Sequence, residues 1–375
     1  MFDQENKQIA FVIYDGIKNS VFQSQVLQPL LKQLEKNRHL EITLISFERK
    51  LPRKSFIKRT IPTHDRLHFV ICRRLPFFGR RSLLLGVYQL SKLFRYIRTD
   101  HIIARGPLAG YIAINAQSTY SQAKPHFPFS TFKEKPPLVT IQARGLCAEE
   151  YKFSHKHSKQ PLYKRIIFQW IYRTMNRIEQ EVYGKNDSLT YLRDVNIEAV
   201  SPALTDYLIK NFEADPKKIT IASHDIPEKI SPAKKTEWHQ SVREELGLPQ
   251  NKTIFVYSGS AKPWQCAKET IDWFKKKISK NPNSFLLILS QNKTQFKILS
   301  EKKELPKDSY LIKSVHAKEL LRYLSACNTG LLFRKHDIVN WVSRPTKMLE
   351  YQSAHLKIIH NNTIGWLSRN HHSAP

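Results

Sequence analysis

The chain has 375 residues, 41% of them hydrophobic, which fits about two folded domains and excludes a disordered chain. Lys and Arg number 61 against 32 Asp and Glu, a net charge of +29. Such a charge calls for an anionic partner (nucleic acid, an acidic membrane surface or phosphorylated substrates), unless it reflects a lysine-rich proteome.

No run of about 18 apolar residues is present, so no membrane-spanning helix is expected. The opening residues are acidic and polar where a signal peptide needs a basic flank, which predicts a cytoplasmic chain. Cys72, Cys147, Cys266 and Cys327 are scattered without ligand or framework spacing, so neither zinc nor disulfides are expected.

Residues 8–14 read as a buried strand, 21–36 as a helix and 40–47 as a second strand, the opening of a parallel α/β sheet. The loop 15–20, with Gly16, follows the first strand, where such sheets bind ligands. It lacks the G-x-G-x-x-G dinucleotide fingerprint. Residues 49–98 mix arginine and lysine with large apolar side chains around a strand at 67–72 and a helix at 82–98. An anionic membrane surface suits that mixture, with a solvated basic face as the plain alternative and nucleic acid as the disfavoured one.

A strand at 101–104 leads through the turn Arg105-Gly106-Pro107 into a helix at 108–117, and 118–137 reads as a polar loop. A strand at 138–142 leads into a charged turn containing Arg144 and Glu150. His155 and His157 sit among lysines without a carboxylate or thiol partner, so no metal is expected there. Residues 162–183 predict a long helix whose stripe, from Ile166 and Ile167 through Trp170 to Val182, reads as core packing. A strand at 197–201, a helix at 203–211 and a strand at 218–222 end a first domain, 1–222. The polar, proline-bearing stretch 223–235 reads as a hinge.

The second domain, 236–375, alternates more regularly. Helices are expected at 236–246, 267–279, 295–303 and 317–325, and strands at 253–257, 284–289, 310–313, 329–333 and 356–360. Before the last strand stands NWVSRPTKMLEYQ, residues 340–352. Ser343 and Pro345 predict a helix start, and Lys347 and Glu350 share one face of that helix. A lysine at a helix N-terminus suits a phosphate, and a carboxylate one turn on suits a ribose diol. A surface Lys–Glu pair is the plain alternative.

Tyr257-Ser258-Gly259-Ser260 together with Ser343-Arg344-Pro345-Thr346-Lys347 and Glu350-Tyr351, in this order across two such domains, resembles the group 1 GT-B glycosyltransferases (glycosyltransferase family 4). The resemblance implies two doubly wound Rossmann-like domains facing a cleft. It implies a hexosyltransferase-type enzyme that moves a sugar from a nucleotide-diphosphate donor to a glycan or lipid-linked acceptor in cell-envelope polysaccharide synthesis. Retention at the anomeric carbon, no cofactor and no obligatory metal are implied too. By the same resemblance, Lys347 and Lys262 hold the diphosphate and Glu350 the ribose. Gly16, Gly259, Ser260, Ser343, Pro345 and Thr346 complete the donor side, and Arg105, Arg144 and Glu150 the acceptor side. Lys347 and Glu350 are the expected catalytic pair. A peripheral place on the inner face of the plasma membrane follows from the basic, aromatic stretch.

Two departures stand out. The family often carries a second glutamate eight residues before Glu350, where this chain has Val342. After Thr363-Ile364-Gly365-Trp366 the family continues into closing elements, whereas this sequence ends at Pro375 with a tail showing no helix pattern. A truncated or degenerate relative without activity is the alternative expectation.

Overall fold

The structure is a computed structural model and describes residues 7–19, 21–122, 137–155, 161–184, 195–223, 226–261 and 265–370, without the side chains of 120–122 and 369–370. Contacts divide the chain into two units, Met1–Asp225 and Ile226–Pro375.

The first unit contains β1 (Lys7–Ile13), β2 (Leu40–Glu48), β3 (Leu67–Arg73), β4 (His101–Arg105), β5 (Leu138–Ala143), β6 (Val195–Ala199) and β7 (Ile219–Ile221). They form one sheet in the order β3-β2-β1-β4-β5-β6-β7, and every described pair is parallel. The near-continuous apolar runs of β1 and β2 are the mark of strands buried on both faces. The chain reverses its direction of strand addition between β1 and β4. That switch point is where open parallel sheets leave a crevice at the strand C-termini.

The second unit holds β8 (Thr253–Ser258), β9 (Ser284–Leu289), β10 (Tyr310–Lys313), β11 (Thr329–Leu332) and β12 (Lys357–His360), in the order β10-β9-β8-β11-β12, again parallel. Alternate residues feed two cores. Ile254 and Val256 join Leu287, Met348 and Tyr351 on one face. Phe255 and Tyr257 join Phe274, Leu286 and Ile288 on the other. Arg243, buried in the helix Pro232–Glu245, ties loops to this core by donating to Ala326 O at 3.0 Å, Gln250 O at 3.0 Å and Asn328 Oδ1 at 3.1 Å. Glu245 ends that helix and accepts from Lys313 Nζ at 2.9 Å, Arg322 Nη2 at 2.6 Å and Tyr323 OH at 2.6 Å.

Several expectations are corrected. The helix Gly106–Gln122 begins directly after β4, with no intervening turn, because Gly106 takes φ +81°. The charged turn around Glu150 is the helix Cys147–His155. Residues 226–235 belong to the second unit rather than a free hinge. Ile230 is buried in its core, and Ser231 Oγ accepts from Lys234 N to start the helix at Pro232. The helix Leu162–Tyr183 forms as expected, but only its C-terminal end is core. Residues 365–370 form a helix, since Ile364 and Leu367 bury against the second core. The helix expected at 82–98 ends at Leu93. Ser20, His157, Lys262 and residues 123–136, 224–225 and 371–375 lie outside the described residues.

Candidate functional site

The second unit's switch point lies between β8 and β11, and the residues following these two strands converge on the helix Thr346–Ser353. β8 ends in Ser258, and Gly259 turns the chain with φ +133°. Gly259 N donates to Leu289 O at 2.9 Å, pinning the turn to the end of β9. Tyr257 OH closes the loop by donating to Ser260 O at 2.7 Å and Gln265 O at 3.2 Å.

The helix is docked by Tyr351. Its ring lies so close to Gly330 of β11 that any Cβ there would overlap it. Its hydroxyl accepts from Ser258 N at 3.0 Å. This contact sets the helix against the loop and brings Lys347 over it. A Cβ at position 259 would stand 2.5 Å from Lys347 Cε and 2.7 Å from Nζ, so a larger residue would displace the end of the lysine, and φ +133° itself favours glycine.

Lys347 Nζ is buried, sits 3.9 Å from the centroid of the Tyr257 ring, and has no hydrogen-bond partner among the described residues. Burial pushes its pKa well below the ordinary lysine range. The neighbouring Arg334 guanidinium adds to the effect and the Glu350 carboxylate opposes it. Burial raises the Glu350 pKa, against the pull of Lys347. Arg334, just past β11, is itself buried and donates to Gln265 Oε1 at 2.8 Å. Two cations thus share one buried corner, an arrangement complementary to an anion.

Beside this corner lies a cavity of about 210 Å3. Gly259 and Ser260 wall it on one side, Gln291 and Asn292 on another, and Val315 and Leu320 on a third.

Of the expected donor residues, the structure brings Gly259, Ser260, Lys347 and Glu350 together. Pro345 occupies the position before the helix without capping it, and Thr346 points to solvent. Ser343 is not the cap. It ends the preceding helix Ile338–Val342, where its Oγ donates to Asn340 O at 2.8 Å. Val342 is fully buried, so the position of the second family glutamate is part of the core. Sequence reading missed Arg334 and Gln265. The detectable signal was an arginine immediately after the strand on the far side of the switch point.

In the first unit the loop after β1 meets the end of β2. Glu48 is buried and its Oε1 accepts from Ile17 N at 2.7 Å and Ser46 Oγ at 2.6 Å. Gly16, at φ +77°, lies directly against that carboxylate. Glu150 is raised to about 7 by burial and by the charge of Asp15, so this expected residue does lie near the loop after β1. The helix bearing it is capped from a distance: Glu179 accepts from Cys147 N at 2.6 Å and Ala148 N at 3.4 Å. Burial lifts Glu179 to about 8 despite those hydrogen bonds. Arg105 is held by Gln25, donating from Nη2 to Oε1 at 2.5 Å. Arg144 is half-buried just past β5.

No protein-family model matches the chain, and no curated protein sequence matches it. Solved structures do. WaaG, a glycosyltransferase involved in lipopolysaccharide biosynthesis, superposes with a TM-score of 0.57 at 13% identity, over 96% of this chain and 83% of that one. A glycosyltransferase from Rickettsia africae gives 0.58 at 12%, over 97% and 81%. Anabaena HepE, in complex with UDP and glucose, gives 0.56 at 12%, over 96% and 82%. The fold is that of the GT-B glycosyltransferases. In GT-B terms, Lys347 and Arg334 stand at the switch point of the C-terminal Rossmann-like unit, and in the N-terminal one Glu48 ends β2 and Glu150 lies in the helix that follows β5.

Proposed function

We propose that the chain is a glycosyltransferase that transfers a hexose from a nucleotide-diphosphate donor to a glycan or lipid-linked acceptor of the cell envelope, with retention. The observation that carries this reading is the Lys347 ammonium, buried beside Arg334 and without a hydrogen-bond partner among the described residues. A diphosphate supplies what that corner lacks. The adjoining cavity suits the nucleoside, with Val315 and Leu320 as apolar walls and Gln291 and Asn292 as hydrogen-bonding groups. UDP bound to HepE is in keeping with this assignment.

In the reaction the bond from the sugar C1 to the β-phosphate oxygen breaks and its electron pair passes to the diphosphate. The acceptor hydroxyl oxygen bonds to C1, and its proton passes to the departing diphosphate oxygen. Charge therefore grows on the leaving diphosphate, where Lys347 and Arg334 stabilise it more in the transition state than in the ground state. Glu350 is assigned to the ribose. Arg105, Arg144 and Glu150 are assigned to the acceptor, which an envelope substrate would present at an anionic membrane surface.

Calorimetric titration of UDP, GDP and ADP into the wild type and Lys347→Ala tests the reading. One nucleotide should bind the wild type and lose at least about tenfold in affinity with the variant. A folded wild type that binds none of the three would favour the inactive-relative alternative, to which the burial of Val342 already lends some weight.

A further inference from the structure

The helix Leu162–Tyr183 carries an apolar face that its own unit leaves uncovered. Its inner side is held: Phe168 stacks on Tyr151 with centroids 5.2 Å apart, and Tyr172 OH donates to Glu149 Oε1 at 2.6 Å. Tyr163, Ile166, Ile167 and Trp170 fall at i, i+3, i+4 and i+7, one face of the helix. Ile166 is 63% exposed, Ile167 51% and Trp170 49%. Phe78, also exposed, adjoins them, because a Cβ on its neighbour Gly79 would stand 3.1 Å from the Trp170 ring. The flanks are cationic: exposed Lys164 and Arg173 border the apolar face, exposed Arg177 continues it toward the C-terminus, and no Asp or Glu occurs from 162 to 178.

We propose that this face seats the protein on an anionic lipid bilayer, with the helix lying in the interface and its basic flanks against the headgroups. The inference rests on the membrane part of the proposed function and gives it a location. Large apolar side chains on one helical face, flanked by Lys and Arg, combine the two signals that hold a peripheral protein. Charge decides between occupants: a second copy would bring one chain of net charge +29 against another, whereas anionic lipid attracts it. Among the described residues no helix is long and apolar enough to cross a membrane, which fits a helix that lies on the surface.

The full chain is floated with vesicles of phosphatidylglycerol and phosphatidylcholine, or of phosphatidylcholine alone, beside Ile166→Ser/Ile167→Ser. Both side chains face solvent, so circular dichroism and the melting curve of the variant should match the wild type. The wild type should float with the anionic vesicles and about tenfold less with neutral ones, and the double variant should lose about tenfold on the anionic vesicles. Equal flotation of variant and wild type would overturn the proposal. So would a wild type that ignores anionic vesicles but sediments as a dimer that the variant dissolves, which would assign the face to a second copy. The nucleotide titration reads a different unit, so failure of either experiment leaves the other interpretable.

Discussion

Lys347 Nζ lies over the face of the Tyr257 ring at 3.9 Å from its centroid, and beside this cation–π contact and the more distant pull of Glu350 it has no hydrogen bond among the described residues. A contact of this kind contributes roughly 0.5–2 kcal/mol. That is far less than the solvation a buried ammonium gives up. The free protein therefore holds Lys347 at a cost, which an anion relieves.

Lys347→Met should separate stability from binding. Methionine matches the aliphatic stem and removes the charge, so the nucleotide-free protein should gain on the order of 1 kcal/mol while nucleotide affinity falls. Thermal melts with and without nucleotide check this. A variant less stable than the wild type when free would show that the ammonium is already satisfied.

Nucleotide binding should take up a proton in alkaline buffer. The Lys347 pKa is depressed in the free protein by burial and by Arg334, and a bound diphosphate restores the charged form. Titrations in buffers of different ionisation enthalpy give the proton count directly. Uptake should shrink as the pH falls through the depressed pKa and vanish in Lys347→Met.

Gly259→Ala should cost stability twice, through backbone strain at φ +133° and through overlap with Lys347. A loss of roughly 1–3 kcal/mol is expected, with nucleotide affinity down at least about tenfold. Gly247→Ala is the control: φ there is +59° with no atom within 4 Å of the added methyl, so strain alone remains and affinity should not change.

The first unit should weaken as pH rises from about 4 to about 8. An unfolded glutamate loses its proton near pH 4.3, whereas buried Glu179 keeps its proton up to about 8. Stability from this group is therefore full below the unfolded value and is lost as pH climbs through the folded one. Glu179→Gln keeps an oxygen for Cys147 N, gives up the longer bond from Ala148 N, and carries no proton to lose. Its melting temperature should be flatter with pH and should exceed that of the wild type in alkaline buffer.

Glu245 runs the other way. Hydrogen bonds from Tyr323, Lys313 and Arg322 hold it down to about 2. Its stabilisation is present above the unfolded value and is lost as pH falls through about 2. The side chain is about one-third exposed, so Glu245→Gln should cost no more than about 1 kcal/mol at neutral pH and nothing in strong acid.

The two sheets were legible because parallel strands buried on both faces leave unmistakable apolar runs, as at Ile9–Ile13 and Phe285–Leu289. The buried corner at Lys347 was legible because Gly259, Lys347 and Glu350 lie in two short, ordered motifs. Arg334 was not, since a single arginine after a strand has no local pattern and gains meaning only when β11 pairs beside β8. The helix Cys147–His155 escaped because its cap comes from Glu179, thirty-two residues away from Cys147. The stripe from Ile166 to Trp170 was read as core because periodicity identifies an apolar face but not what covers it.

Lys347 and Tyr351 stand one turn apart on a single eight-residue helix, and Tyr351 gauges that helix against Ser258 and Gly330. The ammonium and the loop it guards are therefore one mechanical part. The walls formed by Val315, Ala317 and Leu320 belong to other segments and can change without disturbing it. On the proposed reading, replacements at those walls would change which nucleobase is accepted while leaving the part that meets the diphosphate unaltered.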